Sequence, residues 1–498
     1  MIRYLLAMGV LGLMALLLAT GSQGAASAQL VSIQEQIDSA QPGDTLTFDG
    51  GVYNERVVID KPLTLMGVND PVIDGGGEGD VVTITADDVT LSRFVIRNGG
   101  QAFSQEPAAV KIVDAHAPVI EHNRIEDARF GIHVTGSHHA VIDNNEIDLG
   151  DMPIERRGHG IYFWEVAEGA IHGNEVTNAG DGIHLEFSSD NGIALNTVTG
   201  SRYALHFMYS DNNRILQNTF TDNLSGAVLM FSHELLLKDN ELSGNRQGAT
   251  GTGILLKDVD NVFVEGNTII RNKYGLTADG APQSVGATVT LMRNLFALND
   301  TGLGLMTSAP ITFIENSMIE NTVQVEALGA GLIGDAMAEA HDAGAQGTTS
   351  PDAASGQAIW SIGGRGNYWS DYRGYDADGD GIGDRPYRPD PAFGGAMEEH
   401  PNLRFFQFTL AQQAIDTAAE MFPVYDYDPV IEDAAPLMSP IGPALPEEAG
   451  VNTDLLVTSG LLVLLAAVIL QFSFDFDPIA FALARGRRIA GPFNRGAA

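Results

Sequence analysis

Asparagine recurs in this chain at positions 123, 145, 174, 196, 218, 240, 267, 294 and 316, and that spacing constrains the fold more than any other feature. Five of the eight intervals are 22 residues; the others, of 29, 27 and 27, are the same unit with inserts of seven, five and five. An apolar residue follows each Asn by two positions, as in Ile125, Val176, Phe220 and Phe296, and another precedes it by three, as in Ile120, Ile171, Ile215 and Leu291. A second ladder runs through Gly131, Gly160, Gly182, Ala204, Gly226, Gly253, Gly275 and Gly302. One and three residues beyond each of these lie mostly large apolar side chains, for instance Ile183 and Leu185, with positions of variable polarity between them. This is period-two alternation, the mark of strands with one buried face.

A unit of 22 residues built from short strands cannot bury its apolar face alone, so the units must stack. The pattern therefore predicts an all-β solenoid, a right-handed parallel β-helix, with Ile and Leu columns inside and a ladder of Asn side chains at an inward turn. A propeller needs units of about 40 residues and is excluded. Counting back through strands expected near 45–48, 56–59, 62–66, 71–73 and 81–85, with Arg93 in the Asn position, gives about twelve coils. That is a rod of roughly 55 Å at ~4.8 Å per coil. Ser32-Ile33-Gln34-Glu35 reads as a capping box that starts a short helix ending near Ala40, suited to plug the open first coil.

Outside the rod, composition changes by segment. Residues 1–28 read as a signal peptide: Arg3, an apolar run, then Ala26-Ser27-Ala28. The rod is expected over 29–326, followed by an Ala/Gly-rich insert at 327–357 and a C-terminal cap at 358–424. An acidic, Pro-rich tether is expected at 425–452, a transmembrane helix at 453–474 and an arginine-bearing cytoplasmic tail at 475–498. Such a chain would sit outside the inner membrane, anchored by one helix. There is no cysteine, so soft-metal chemistry falls to Met and His. The net charge of −37 repels nucleic acid and attracts cations.

A β-helix sets equivalent residues one above another. Two and four positions beyond the Gly ladder stand His133/Thr135, Tyr162/Trp164, His184/Glu186, His206/Met208, Val228/Met230 and Leu255/Lys257. His184, Glu186, His206, Met208 and Met230 should form one patch. Its two imidazoles, carboxylate and two thioethers suit copper, Cu(I) above all. His138, His139 and His233 lie toward the next turn, and His341 and Met337 fall in the insert. A plain strand face that happens to carry His and Met is the bland alternative. Asp376, Asp378, Asp380 and Asp384, spaced by Gly, could wrap a hard cation such as Ca²⁺ and pin the cap, although Tyr387 stands where an EF-hand places Glu.

Gly366-Asn367-Tyr368-Trp369-Ser370-Asp371-Tyr372, then Gly374-Tyr375-Asp376 and the run from Asp378 to Tyr387, resemble the C-terminal signature of the NosD family. Gly43-Asp44-Thr45, Gly51-Val52-Tyr53 and Pro436-Leu437-Met438 extend the resemblance over roughly residues 30–440. These are periplasmic β-helix proteins for maturation of nitrous oxide reductase. The resemblance implies copper delivery to that multicopper apoenzyme, alongside an ABC-type ATPase and permease and a copper-donor lipoprotein. It assigns no copper ligands. The Ala/Gly insert and the C-terminal anchor depart from the family pattern.

Two other functions compete. A carbohydrate-active β-helix enzyme would stack sugars on Tyr162, Trp164 and Tyr209 and use Glu186 with Asp181 or Asp211 as acid and base. A uronate-cleaving site wants a cation beside its carboxylates, and the stripe offers only Lys257. A surface adhesin would leave the His/Met patch without purpose.

Overall fold

The computed structural model describes residues 31–102, 105–247, 251–307, 309–327, 358–389 and 431–446. The expected signal peptide, transmembrane helix and cytoplasmic tail lie outside these residues, as do residues 328–357 of the insert, 390–424 of the cap, and 425–430 and 447–452 of the tether. No helix among the described residues is long and apolar enough to cross a membrane.

Three parallel sheets of 12, 13 and 12 strands wind into a right-handed β-helix. The first runs from the strand Thr45–Asp49 to Thr312–Ile314, the second from Val52–Tyr53 to Tyr368–Trp369, and the third from Val57–Ile59 to Val323–Ala327. Each strand pairs with its counterpart one coil on, so inward residues meet their own kind. Ile120, Ile142, Ile171, Ile193 and Ile215 form one continuous buried column. The core runs the length of the rod.

The asparagine ladder exists as expected. Asn145 Nδ2 donates to Asn174 Oδ1 at 3.0 Å and to the Ile120 carbonyl at 2.8 Å, and the same double bond repeats from coil to coil. It ends in the signature sequence, where Asn316 Nδ2 donates to Asn367 Oδ1 at 2.9 Å. Asn367 is thus a further rung beyond the insert, and the signature forms the last coil. A parallel Asn ladder through Asn223, Asn245, Asn272, Asn299 and Asn321 satisfies the next turn.

Three expectations need correction. Phe94, not Arg93, takes the Asn position in its coil, because Val95 pairs with Arg124. The buried ring fills the space while its backbone N–H donates to Asn123 Oδ1 at 3.0 Å. The helix Ile33–Ser39 forms and buries Ile33 and Ile37, but only half of the capping box is made. Ser32 Oγ accepts from Glu35 N–H, whereas the carboxylate over the helix start is that of Glu55 from the first coil, accepting from Ser32 Oγ and Ile33 N–H at 2.6 and 2.7 Å. Finally, residues 431–443 do not belong to a tether. Ile431, Asp433 and Leu437 are buried, and Asp433 accepts from Trp369 Nε1 at 2.9 Å and Asn367 N–H at 2.7 Å. Phe313 on Trp360 and Trp369 on Tyr387 stack at 4.5 and 4.2 Å to close this end.

Candidate functional site

Glycine sets the geometry of the third sheet. A Cβ on Gly182 would lie 2.2 Å from Val198 Cγ1, so this position faces the packed interior. Ile183 beside it is also buried in the core. Two consecutive inward residues put the residue before the glycine on the outer face together with the residue two beyond it. Asp181 therefore joins His184 there, and the register pairs Asp181 with Tyr203, His184 with His206 and Glu186 with Met208. Met208 pairs in turn with Met230. The expected columns align in the expected order.

This outer face is not exposed. His184 is 5% accessible, His206 2% and Asp181 0%. The seven-residue insert between Asn145 and Asn174 covers part of it. Its 3₁₀ turn Ile154–Arg156 leads to Arg157, which bonds Met152 O at 2.6 Å and Gly200 O at 2.8 Å and so straps the loop down. His159 follows and stacks on His184, with centroids 4.6 Å apart and planes 10° from parallel.

The resulting cluster is dense. His184 Nδ1 and His206 Nδ1 lie 2.8 Å apart, within hydrogen-bond distance when one of the two nitrogens carries the proton. Asp181 Oδ2 lies 2.9 Å from His206 Nδ1, 3.3 Å from His184 Nδ1 and 3.5 Å from His159 Nδ1. Arg202 grips the same carboxylate through Nε and Nη2, each at 2.9 Å. Glu186 accepts from Tyr162 OH at 2.9 Å and lies 3.6 Å from His184 Nε2. Ligand atoms of His159, Asp181 and His184 all fall within 4.8 Å of one another. Among the described residues, buried His206 Nε2, His159 Nδ1 and His133 Nδ1 have no hydrogen-bond partner.

Burial governs the protonation states. It holds His206 and His133 down to about 4, helped at His206 by the neighbouring His184 and at His133 by Lys111. Burial likewise keeps His159 well below its ordinary value. At His184 burial opposes the proton, but hydrogen bonds to Asp181 and Glu186 outweigh it and raise the pKa. Burial would raise Asp181, yet the charges of Arg202 and His206 hold it well below the usual carboxylate range. The hydrogen bond from His184 keeps Glu186 below its ordinary value. Neutral imidazoles with unused nitrogens are the form in which histidine binds a metal. Glu186, Met208 and Met230 are half-buried and lead from this cluster toward the surface.

His159 and Arg202 escaped the sequence reasoning, and Asp181 entered it only as a sugar-site acid. His159 and Asp181 occupy the position just before the glycine ladder, where a regular alternation would turn them away from His184. Of the other candidates, His139 pairs with Glu168 and His233 with Asp211, while His138 is exposed and pairs with His116 through the backbone alone. His341 and Met337 lie outside the described residues. At the far end, Asp376, Asp378 and Asp380 bring ligand oxygens within 4.8 Å of one another. These carboxylates also bind their own turn, Asp376 accepting from Gly379 and Gly381 N–H and Asp380 from Ile382 N–H. Asp384 stands outside that group and caps Ala377 N–H at 2.6 Å.

Residues 144–374 match the family model described as periplasmic copper-binding protein (NosD). A probable ABC transporter binding protein NosD of Pseudomonas aeruginosa is 35% identical over 401 residues, 78% of this chain and 86% of that protein. The chain belongs to the NosD family. A second NosD protein with the same description, from Stutzerimonas stutzeri, is 32% identical over 85% of this chain and 92% of its own length. Among solved structures, the Dettilon tailspike protein is similar at 16% identity and a TM-score of 0.42, over 56% of this chain and 60% of its own. The NosD match spans the His/Asp cluster and stops at Gly374, before the Asp-rich turn.

Proposed function

We propose that this chain is a non-enzymatic copper-delivery protein of the periplasm, which supplies the copper sites of nitrous oxide reductase in concert with an ABC-type permease and ATPase. One observation carries the reading: two buried imidazoles 2.8 Å apart, flanked by His159 and Asp181, stand beside an in-register column of Glu186, Met208 and Met230. Copper is the cargo. Loading displaces the proton that hydrogen bonds favour on His184, and the ion also takes nitrogens of His206 and His159, which burial already keeps neutral. The pairing of Asp181 with Arg202 cancels one charge, so Glu186 is the carboxylate left to balance a monovalent ion. The thioethers of Met208 and Met230 bind Cu(I) without losing a proton and offer it a graded path outward. ABC transporter binding in the names of the relatives supports the partnership, and family membership supports the metal and the compartment.

The chemistry of the site speaks against sugar cleavage. Asp181 is fully buried and held by Arg202, so it cannot approach a glycosidic oxygen. The test of the role is to produce nitrous oxide reductase in cells that carry this chain, lack it, or carry H184A/H206A. Copper-poor, inactive reductase in the second and third cases supports delivery through this site. Fully metallated reductase in all three would refute it.

A further inference from the structure

Five of the twelve histidines, at 116, 122, 138, 139 and 172, lie on or beside the first sheet over three consecutive coils, away from the third-sheet cluster. Two of them have side-chain neighbours that explain them, since His116 and His139 pack edge to face at 5.0 Å and His139 pairs with Glu168; His138 is exposed and meets His116 only through the backbone. The other two, His122 and His172, flank a pair of carboxylates. Glu121 and Asp143 are direct neighbours across parallel strands, Glu121 in Val119–Glu121 and Asp143 in Val141–Asp143. Like charges at this separation are destabilising. Further along the same outer column the fold resolves the problem with a cation, as where Lys238 Nζ meets Glu265 Oε2 at 2.8 Å. Among the described residues no Lys or Arg does so for Glu121 or Asp143. Instead Glu121, His122 and Asp143 bring a ligand atom each within 4.8 Å of one another. His172, one coil on in register with Asp143, holds the Asp143 carboxylate through Nδ1 at 2.8 Å.

We propose that Glu121, His122 and Asp143 form a second metal site, solvent-facing and oriented by His172, for a borderline divalent cation such as Zn²⁺ or Cu²⁺. The donor set decides the class. Two carboxylates and an imidazole suit first-row divalent ions, and the absence of sulfur disfavours Cu(I). A hard ion such as Mg²⁺ would gain little from His122. Three protein donors leave positions for water, so the ion exchanges readily, as a capture site requires and a structural site does not. The bound cation also removes the repulsion between Glu121 and Asp143. The site stands on a different sheet from the copper cluster and does not depend on the copper reading.

The test is a Zn²⁺ titration of the full chain against a competing fluorescent chelator, with His122→Gln and Glu121→Gln measured separately and His206→Gln as the control. Both substitutions are at the rod surface, and equal melting temperatures would establish that the variants fold. The expected result is one equivalent of Zn²⁺ weakened at least tenfold in each of the two variants and retained in His206→Gln. An unchanged Zn²⁺ affinity in both variants would overturn the proposal. So would loss of that equivalent in His206→Gln alone, or Mg²⁺ competing for it at comparable concentration.

Discussion

His206 illustrates how a single residue acquires its chemistry from position. Two residues past the inward glycine position, filled here by Ala204, it faces out of the core, yet it is buried. Its pKa of about 4 and that of His133 make a testable statement about stability. Unfolded histidine binds a proton near 6.5, the folded residue only near 4, so the unfolded state takes up more protons between these values. Stability should therefore fall as pH drops from 6.5 to 4, by about 3 kcal/mol for each histidine at most. His184, raised above its ordinary value, works in the opposite sense and loses its contribution as pH rises through its folded pKa. Melting curves should show a Tm that declines over that acid range in the parent and declines less in H206Q. A Tm equally pH-dependent in both would mean that the imidazole is not held neutral. The sequence located His206 and its partners because a period of 22 residues fixes which side chains are stacked. It did not place His159 or Asp181 beside His184, because both depend on two successive inward residues at the glycine, which simple alternation does not encode.

The elements of this fold are the coil and its turns, and each turn is stabilised by a side chain that reaches the next coil. Asn218 donates to Ile193 O and to Asn240 Oδ1 while its own oxygen accepts from Asn196. Replacing it by Ala strands buried polar groups on both sides, at a cost of about 1–3 kcal/mol for each unsatisfied group. Because solenoids open locally, the measurement is amide exchange, and protection should drop in the coils bearing Asn196 and Asn240 rather than uniformly. Gly182→Ala is predicted to be worse for function than for folding. Its methyl would press on Val198 and separate Asp181 from His184, costing about 1–3 kcal/mol and weakening copper binding at least tenfold. Copper affinity equal to that of the parent would show that the glycine does not set the site. The asparagine turns were legible because Asn sits at a fixed period. The closing cap was only half legible: the aromatic signature marked its start, whereas the Pro-rich composition of 431–443 hid the buried Ile431 and Asp433.

At the largest scale, the rod within residues 31–443, closed at the start by the helix Ile33–Ser39 and at the end by stacked aromatics, leaves its long sides for function. The net charge of −37 concentrates cations along those sides and discourages polyanions, which agrees with a metal-handling role and not with nucleic acid. The thioethers of Met208 and Met230 stand beside the third-sheet cluster, whereas the Glu121–His122–Asp143 group beside the first sheet has no sulfur donor, so the two proposed sites would differ in the metals they prefer. Copper delivery, as proposed, depends on the third-sheet cluster. Its most direct test is a Cu(I) titration of the chain under reducing conditions against a competing chelator, comparing the parent with His184→Ala, His206→Ala and Met208→Ala. The predicted result is saturable binding near one ion per chain, weakened at least tenfold by either histidine change and to a smaller degree by the methionine change. Binding of equal strength in all four proteins, or no binding in any, would contradict it.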